Sequence, residues 1–217
     1  MKREWLVPLT GVLFVVLAFV SIVVGGEPPD AGDPVREIID HYVDNEDQIY
    51  VSAILGGLAC VALVFFGSYF RTVLRAAEGP GRGTLSAVVF AGTVIMAIGI
   101  AIDMTISVAL AGAVDDVEPA AVQALQALWD NDFVPIALGI ELFLLSAGLA
   151  IVRHGGAPKW LGWVALVLAA AGPTPIGFIA FLGGAIWILI VSIVLALRAR
   201  KGAGDGAPPA AAPPAPA

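Results

Sequence analysis

Asp103 and Glu141 each interrupt an apolar run long enough to cross a membrane, and a carboxyl at such depth is costly and normally faces a helix bundle or water. Counted inward from the nearer run end, Asp103 is seven residues from Leu110 and Glu141 eight from Phe133. At 1.5 Å per residue both lie roughly 10–12 Å below the same boundary, so two antiparallel helices could bring them into one layer. Two carboxyls meeting in a low dielectric cannot both ionise easily, which makes the pair a candidate proton- or cation-handling site. Gly99 and Ser107 share a helical stripe with Asp103, offering close approach and a hydroxyl partner. The plainer alternatives are an Asp103 near the interface and a neutral, hydrogen-bonded Glu141.

Other chemistry-bearing residues give weaker patterns. His41 and His154 are the two histidines, and they fall on opposite sides of the expected membrane, outside any zinc-like cluster. Cys60 sits alone in an apolar run and reads as a small packing residue. Gly79-Pro80-Gly81-Arg82-Gly83-Thr84 opens a helix and could offer backbone N–H groups to an anion, but no G-x-x-x-x-G-K-[ST] is present and a turn explains it. No serine has a His or Lys partner at matching depth. The pattern thus contains no catalytic residues, metal site or cofactor motif, and an enzyme is the least supported class.

The elements that must position these residues are membrane helices. Apolar residues make up 59% of the chain and charged residues 13%, half the share a soluble surface needs. A span takes about 20 apolar residues. The expected fold is all-α, a polytopic membrane helix bundle of about six spans: residues 5–24, 49–70, 85–110, 133–152, 160–171 and 176–197. The fifth and sixth form a hairpin broken at Gly172-Pro173-Thr174-Pro175, and the fifth is short for a full crossing. Lys2, Arg3, Arg71, Arg75, Arg82, Arg153, Lys159, Arg198, Arg200 and Lys201 all fall on one side, leaving Arg36 as the exception. The excess of basic residues marks the cytoplasmic side, so both termini are expected there, in the cell (plasma) membrane.

The two long outer loops hold thirteen acids, eight between Glu27 and Asp47 and five between Asp115 and Asp132. They could attract cations, although a run of like charge commonly does no more than solvate a face and enforce topology. In the first loop Asp33-Pro34 reads as an N-cap and N1 proline, followed by the stripe Ile38, Ile39, Tyr42 and Val43. In the second, Val122, Leu125, Leu128 and Trp129 form another stripe. Both loops are expected to carry short amphipathic helices. Residues 202–217, almost wholly Gly, Ala and Pro, read as a disordered cytoplasmic tail.

Gly11-Val12-Leu13-Phe14, the Pro28–Asn45 stretch with its Pro-Val-Arg-Glu-Ile-Ile and Tyr-Val-Asp-Asn segments, and Pro158-Lys159-Trp160-Leu161-Gly162-Trp163 carry a resemblance. Over residues 1 to about 200 the chain resembles a family of small six-helix bacterial integral membrane proteins of actinobacterial type, a domain of unknown function. The resemblance implies a membrane bundle and transfers no catalytic residue. Expected partners are the lipid bilayer and, within it, a second copy forming a homo-oligomer or another membrane protein, and not a nucleic acid. Function therefore divides between a non-enzymatic membrane protein, a small proton- or cation-coupled transporter using Asp103 and Glu141, and a membrane-embedded enzyme without a recognisable motif.

Overall fold

The computed structural model describes residues 4–172, 174 and 177–204, and every described element is helical. A 3-10 turn over Glu4–Leu9 leads into α1 (Thr10–Gly25). Then follow α2 (Val35–Asp44), α3 (Glu46–Glu78), α4 (Thr84–Ala113), α5 (Pro119–Trp129), α6 (Phe133–His154), α7 (Lys159–Ala171) and α8 (Gly177–Gly204). Five stretches are long and apolar enough to cross a membrane: Trp5–Gly25, Glu46–Glu78, Thr84–Ala113, Pro119–His154 and Ala180–Lys201. The chain is thus an all-α protein with the helices of a polytopic membrane protein.

α7 is the exception, with 13 residues. At 1.5 Å per residue it reaches about 20 Å, short of the roughly 30 Å of hydrocarbon. It ends beside Glu141, where a Cβ on Gly172 would collide with Oε2. The end of α7 therefore lies eight residues inside the start of α6. α8 turns back along it, and the Trp187 indole N–H donates to the Leu161 carbonyl at 2.8 Å.

The outward faces are apolar. On α3, Ile54, Leu58, Val61 and Phe65 are exposed at helical spacing, as are Leu13, Val16, Val20 and Val23 on α1. Such stripes fit contact with acyl chains, since water would disfavour them. The inward faces are small residues and rings. α4 and α6 cross so closely that a Cβ on Gly92 would come within 2.6 Å of the Phe143 backbone nitrogen, and one on Gly99 within 2.7 Å of that of Ile136. A Cβ on Gly139 would strike the Met96 backbone. This is the small-residue packing that lets helix backbones approach where burial from water supplies no drive. Beside it Phe66, Phe70, Phe143 and Trp187 form one buried aromatic cluster, with neighbouring centroids 5.7–6.4 Å apart.

The two ends of the bundle differ. One carries the start of the chain, the α3–α4 and α6–α7 turns and the end of α8: Trp5 and Leu9 meet Leu197 and Arg200, and Arg198 donates to the Gly156 carbonyl at 3.2 Å. Here Gly79, Gly81 and Gly83 adopt positive φ, and the buried Glu78 carboxylate accepts the Ser86 N–H at 2.6 Å. The start of α4 is therefore capped from within the chain, by the side chain that precedes the glycine-rich turn. At the other end α2 and α5 lie across the bundle as a cap.

Several local expectations shift. Pro8 lies inside a 3-10 turn, so α1 starts at Thr10, five residues later than expected. Pro34, not Asp33, is the N-cap of α2, and Asp33 accepts the Asp30 N–H at 2.9 Å instead. On α5 the buried positions are Val122 and Gln126, while Leu128 is exposed; on α2 Ile38 and Tyr42 are buried and Val43 is exposed. α8 continues through residues 202–204, and the expected tail from 205 onward lies outside the described residues.

Candidate functional site

A cavity of about 910 Å³ lies between α1, α3, α4, α6 and α8, at the upper end of the roughly 300–1,000 Å³ usual for ligand pockets. Its depth is apolar, walled by Phe14, Ala59, Met96, Ile140 and Ile188. Phe19, Ile22 and Val23 of α1 and Phe181, Leu182 and Ile186 of α8 line it and are also exposed on the outer surface of the bundle. The opening is thus bordered by side chains of the kind that face lipid. Toward the cap the lining turns polar, with Asp103, Ser107, His41, Tyr42, Trp129 and Glu27.

The cap that forms this polar end is held by a chain of hydrogen bonds. The Tyr42 hydroxyl donates to Gln126 Oε1 at 2.9 Å, and Gln126 Nε2 donates to Asp130 Oδ1 at 3.1 Å. Asp130 Oδ2 accepts the Ala31 N–H at 2.9 Å, and Gln123 Nε2 donates to the Ala31 carbonyl at 3.1 Å. Ile38, Tyr42, Ile49, Ile106, Leu110, Ala111, Val114 and Val122 fill the core beneath. Burial pushes the Tyr42 hydroxyl well above its usual proton affinity, and the Asp103 and Asp130 carboxylates push the same way, so it remains a donor. Burial also lowers the proton affinity of His41, opposed in part by Asp44, which favours the neutral imidazole. Lower down, Ser21 and Ser52 each donate to the other's carbonyl oxygen at 2.9 Å, clasping α1 to α3 along the cavity wall.

The structure separates the two intramembrane acids. The α4–α6 crossing sets Gly92 against Phe143, Met96 against Gly139 and Gly99 against Ile136. Continued by one turn, that register puts Asp103 level with Asp132, and the two carboxyls are close enough to repel. Glu141 is nine positions further along α6, about 13 Å at 1.5 Å per residue, beside Gly172 and outside the cavity lining. Counting from run ends fails because α4 overshoots the start of α6 by about three turns, inside the cap.

Two buried polar atoms at this corner have no hydrogen-bond partner among the described residues: Trp129 Nε1 and Asp132 Oδ2. The Trp129 indole N–H lies beside the Asp103 carboxyl. His41 is in the cap and His154 ends α6 at the opposite end of the bundle. Cys60 packs half-buried, its thiol 3.4 Å from the Ala97 carbonyl. Sequence reasoning missed Tyr42, Gln126 and Trp129 as site residues. The available signal was the spacing of Val122, Gln126 and Trp129, which puts an amide on the buried stripe of an amphipathic helix.

The fold defines the chain as a polytopic α-helical membrane protein with a cavity near one end. Comparison with protein-family models, with curated proteins and with solved structures finds no match.

Proposed function

We propose that this protein is a non-enzymatic, multi-pass protein of the cell membrane that takes an apolar molecule from the bilayer and holds it in the cavity. The observation that carries this reading is the 910 Å³ space with apolar walls, a mouth bordered by lipid-facing side chains and a polar inner end. In this reading the basic end of the bundle is cytoplasmic, with both chain termini there, and the acidic cap faces outward. α7 and α8 then form a hairpin entered and left from the cytoplasmic side, with α7 a partial sixth span. A transporter using Asp103 and Glu141 as one site has less support, because those residues are about 13 Å apart along α6.

Mass spectrometry of protein released from native membranes tests the binding. The wild type is expected to retain a co-purifying apolar molecule, and Ala185→Phe, which fills the cavity beside the mouth, is expected to lose most of it. Equal retention by the two proteins would overturn the binding reading. Reporter insertions test the orientation: a phosphatase active only when exported is expected to work when placed between Asp30 and Asp33 and to be silent after Lys201. The reverse pattern would invert the topology.

A further inference from the structure

We infer that the molecule held in this cavity is a single-chain amphiphile with a cationic amine head, the head seated at the corner formed by Asp103, Trp129 and Tyr42 and the chain lying in the apolar depth. The inference rests on the binding reading above and adds the chemical class of the ligand.

Shape supplies the first argument. Along α1 the lining runs from Phe14 to Gly25, eleven positions or about 16 Å, enough for an alkyl chain of moderate length. It is polar at one end only, so a ligand that fits it is apolar along its length and polar at its tip. The mouth between α1 and α8 opens where acyl chains lie, which gives such a molecule a path that never leaves the membrane.

Charge supplies the second. Among the described residues, the lining includes Asp103 and Glu27 but no lysine or arginine. Asp132 faces Asp103 from the start of α6, its Oδ2 buried without a donor. The one ion pair among the described residues, Arg36 to Asp40 at 3.8 Å, is exposed on α2 and leaves this corner uncompensated. His41 is the lining's only basic side chain, and its burial favours the neutral form. A cation placed here relieves the repulsion between two carboxyls, whereas an anionic head adds to it.

The rings supply the third. Trp129 and Tyr42 border the same corner, and an ammonium within about 6 Å of such a ring is stabilised by its negative face, more so away from water. The Asp130 carboxylate is already engaged by Ala31 and Gln126, so it fixes the cap and leaves Asp103 as the acceptor for the head. Asp103 is here a binding residue, and Tyr42, tied to Gln126, positions the ring.

Photolabelling in nanodiscs of neutral lipid tests the assignment. The probes are two diazirine-bearing alkyl chains of equal length, one ending in trimethylammonium and the other in sulfonate. The ammonium probe is expected to label α1 and α8 residues of the cavity at least about tenfold more than the sulfonate, equivalent to about 1.4 kcal/mol. Asp103→Asn is expected to reduce ammonium labelling to near the sulfonate level and to leave sulfonate labelling unchanged. Comparison of the two probes on the wild type needs no variant, so a misfolded Asp103→Asn does not obscure the result. Equal cavity labelling by both probes overturns the cationic head while leaving the cavity a binding site. Labelling confined to the outer surfaces of the helices by both probes overturns the binding reading as well.

Discussion

The basic half of the bundle is closed by rings and glycine crossings, while the acidic half encloses an open space beneath a hydrogen-bonded cap. In the first, Phe66, Phe70, Phe143 and Trp187 fill the centre, and Gly92 draws α4 against the α6 backbone at Phe143. In the second, α1 is clasped to α3 by Ser21 and Ser52, but its other side borders the cavity. One lipid-facing chain thus builds a filled body and an open one from the same helices. The difference lies in whether the side chains at the centre meet one another, as the four rings do, or stand apart around a space.

Leucines placed in the two halves should separate them most clearly. Gly92→Leu drives a side chain into the Phe143 backbone, and overpacking of this kind costs at least about 1–3 kcal/mol. Ala18→Leu places similar bulk in the open cavity and is expected to change stability by no more than about 1 kcal/mol. Heating both variants in mild detergent and following the surviving monomer by size exclusion gives the comparison. If both lose monomer at the same temperature, the two halves do not differ in packing.

The closed half was readable from sequence to a greater degree than the open one. Uninterrupted apolar runs place α1, α3, α4, α6 and α8, because lipid leaves a spanning segment little choice but helix. The Gly172-Pro173-Thr174-Pro175 break places the α7–α8 turn for the same reason, since proline cannot continue a helix. Asp103 and Glu141 were both legible as intramembrane acids, yet their relation was not. That relation depends on the α4–α6 register, which Gly92, Gly99 and Gly139 set through close backbone approach. Run ends give no information about it. The cap helices were legible as amphipathic stripes, but the Gln126 amide was hidden by the larger Leu128 two residues on, which is exposed. The cavity is a gap between helices, and a gap has no residue of its own to read.

The cap should loosen without disturbing the closed half. Tyr42→Phe removes the donor to Gln126 Oε1 and leaves that amide oxygen buried without its bond. A lost bond of this type costs about 0.5–1.5 kcal/mol, so amide exchange in α2 and α5 is expected to quicken by up to about tenfold. Amides of α4 and α6 around Gly92 and Phe143 should keep their protection. If exchange rises uniformly along the chain, the cap is part of one cooperative unit with the bundle and the two-region contrast fails.

The smallest expected effect is a pH dependence confined to the same cap. Burial holds the His41 proton affinity below its ordinary 6.5, against a partial pull upward from Asp44. A base with a lowered folded value contributes full stability above 6.5 and loses it as pH falls through the folded value. Protonation of His41 should therefore favour a loosened α2 as the pH falls below 6.5. Because the imidazole is only half-buried, the change is expected to be smaller than that caused by Tyr42→Phe. Amide exchange of α2, corrected for the intrinsic effect of pH, should show a rise on acidification that His41→Gln removes. A rise of equal size in His41→Gln would assign the response to the surrounding carboxylates instead, and a response equally strong in the closed half would show that protonation acts on the whole bundle.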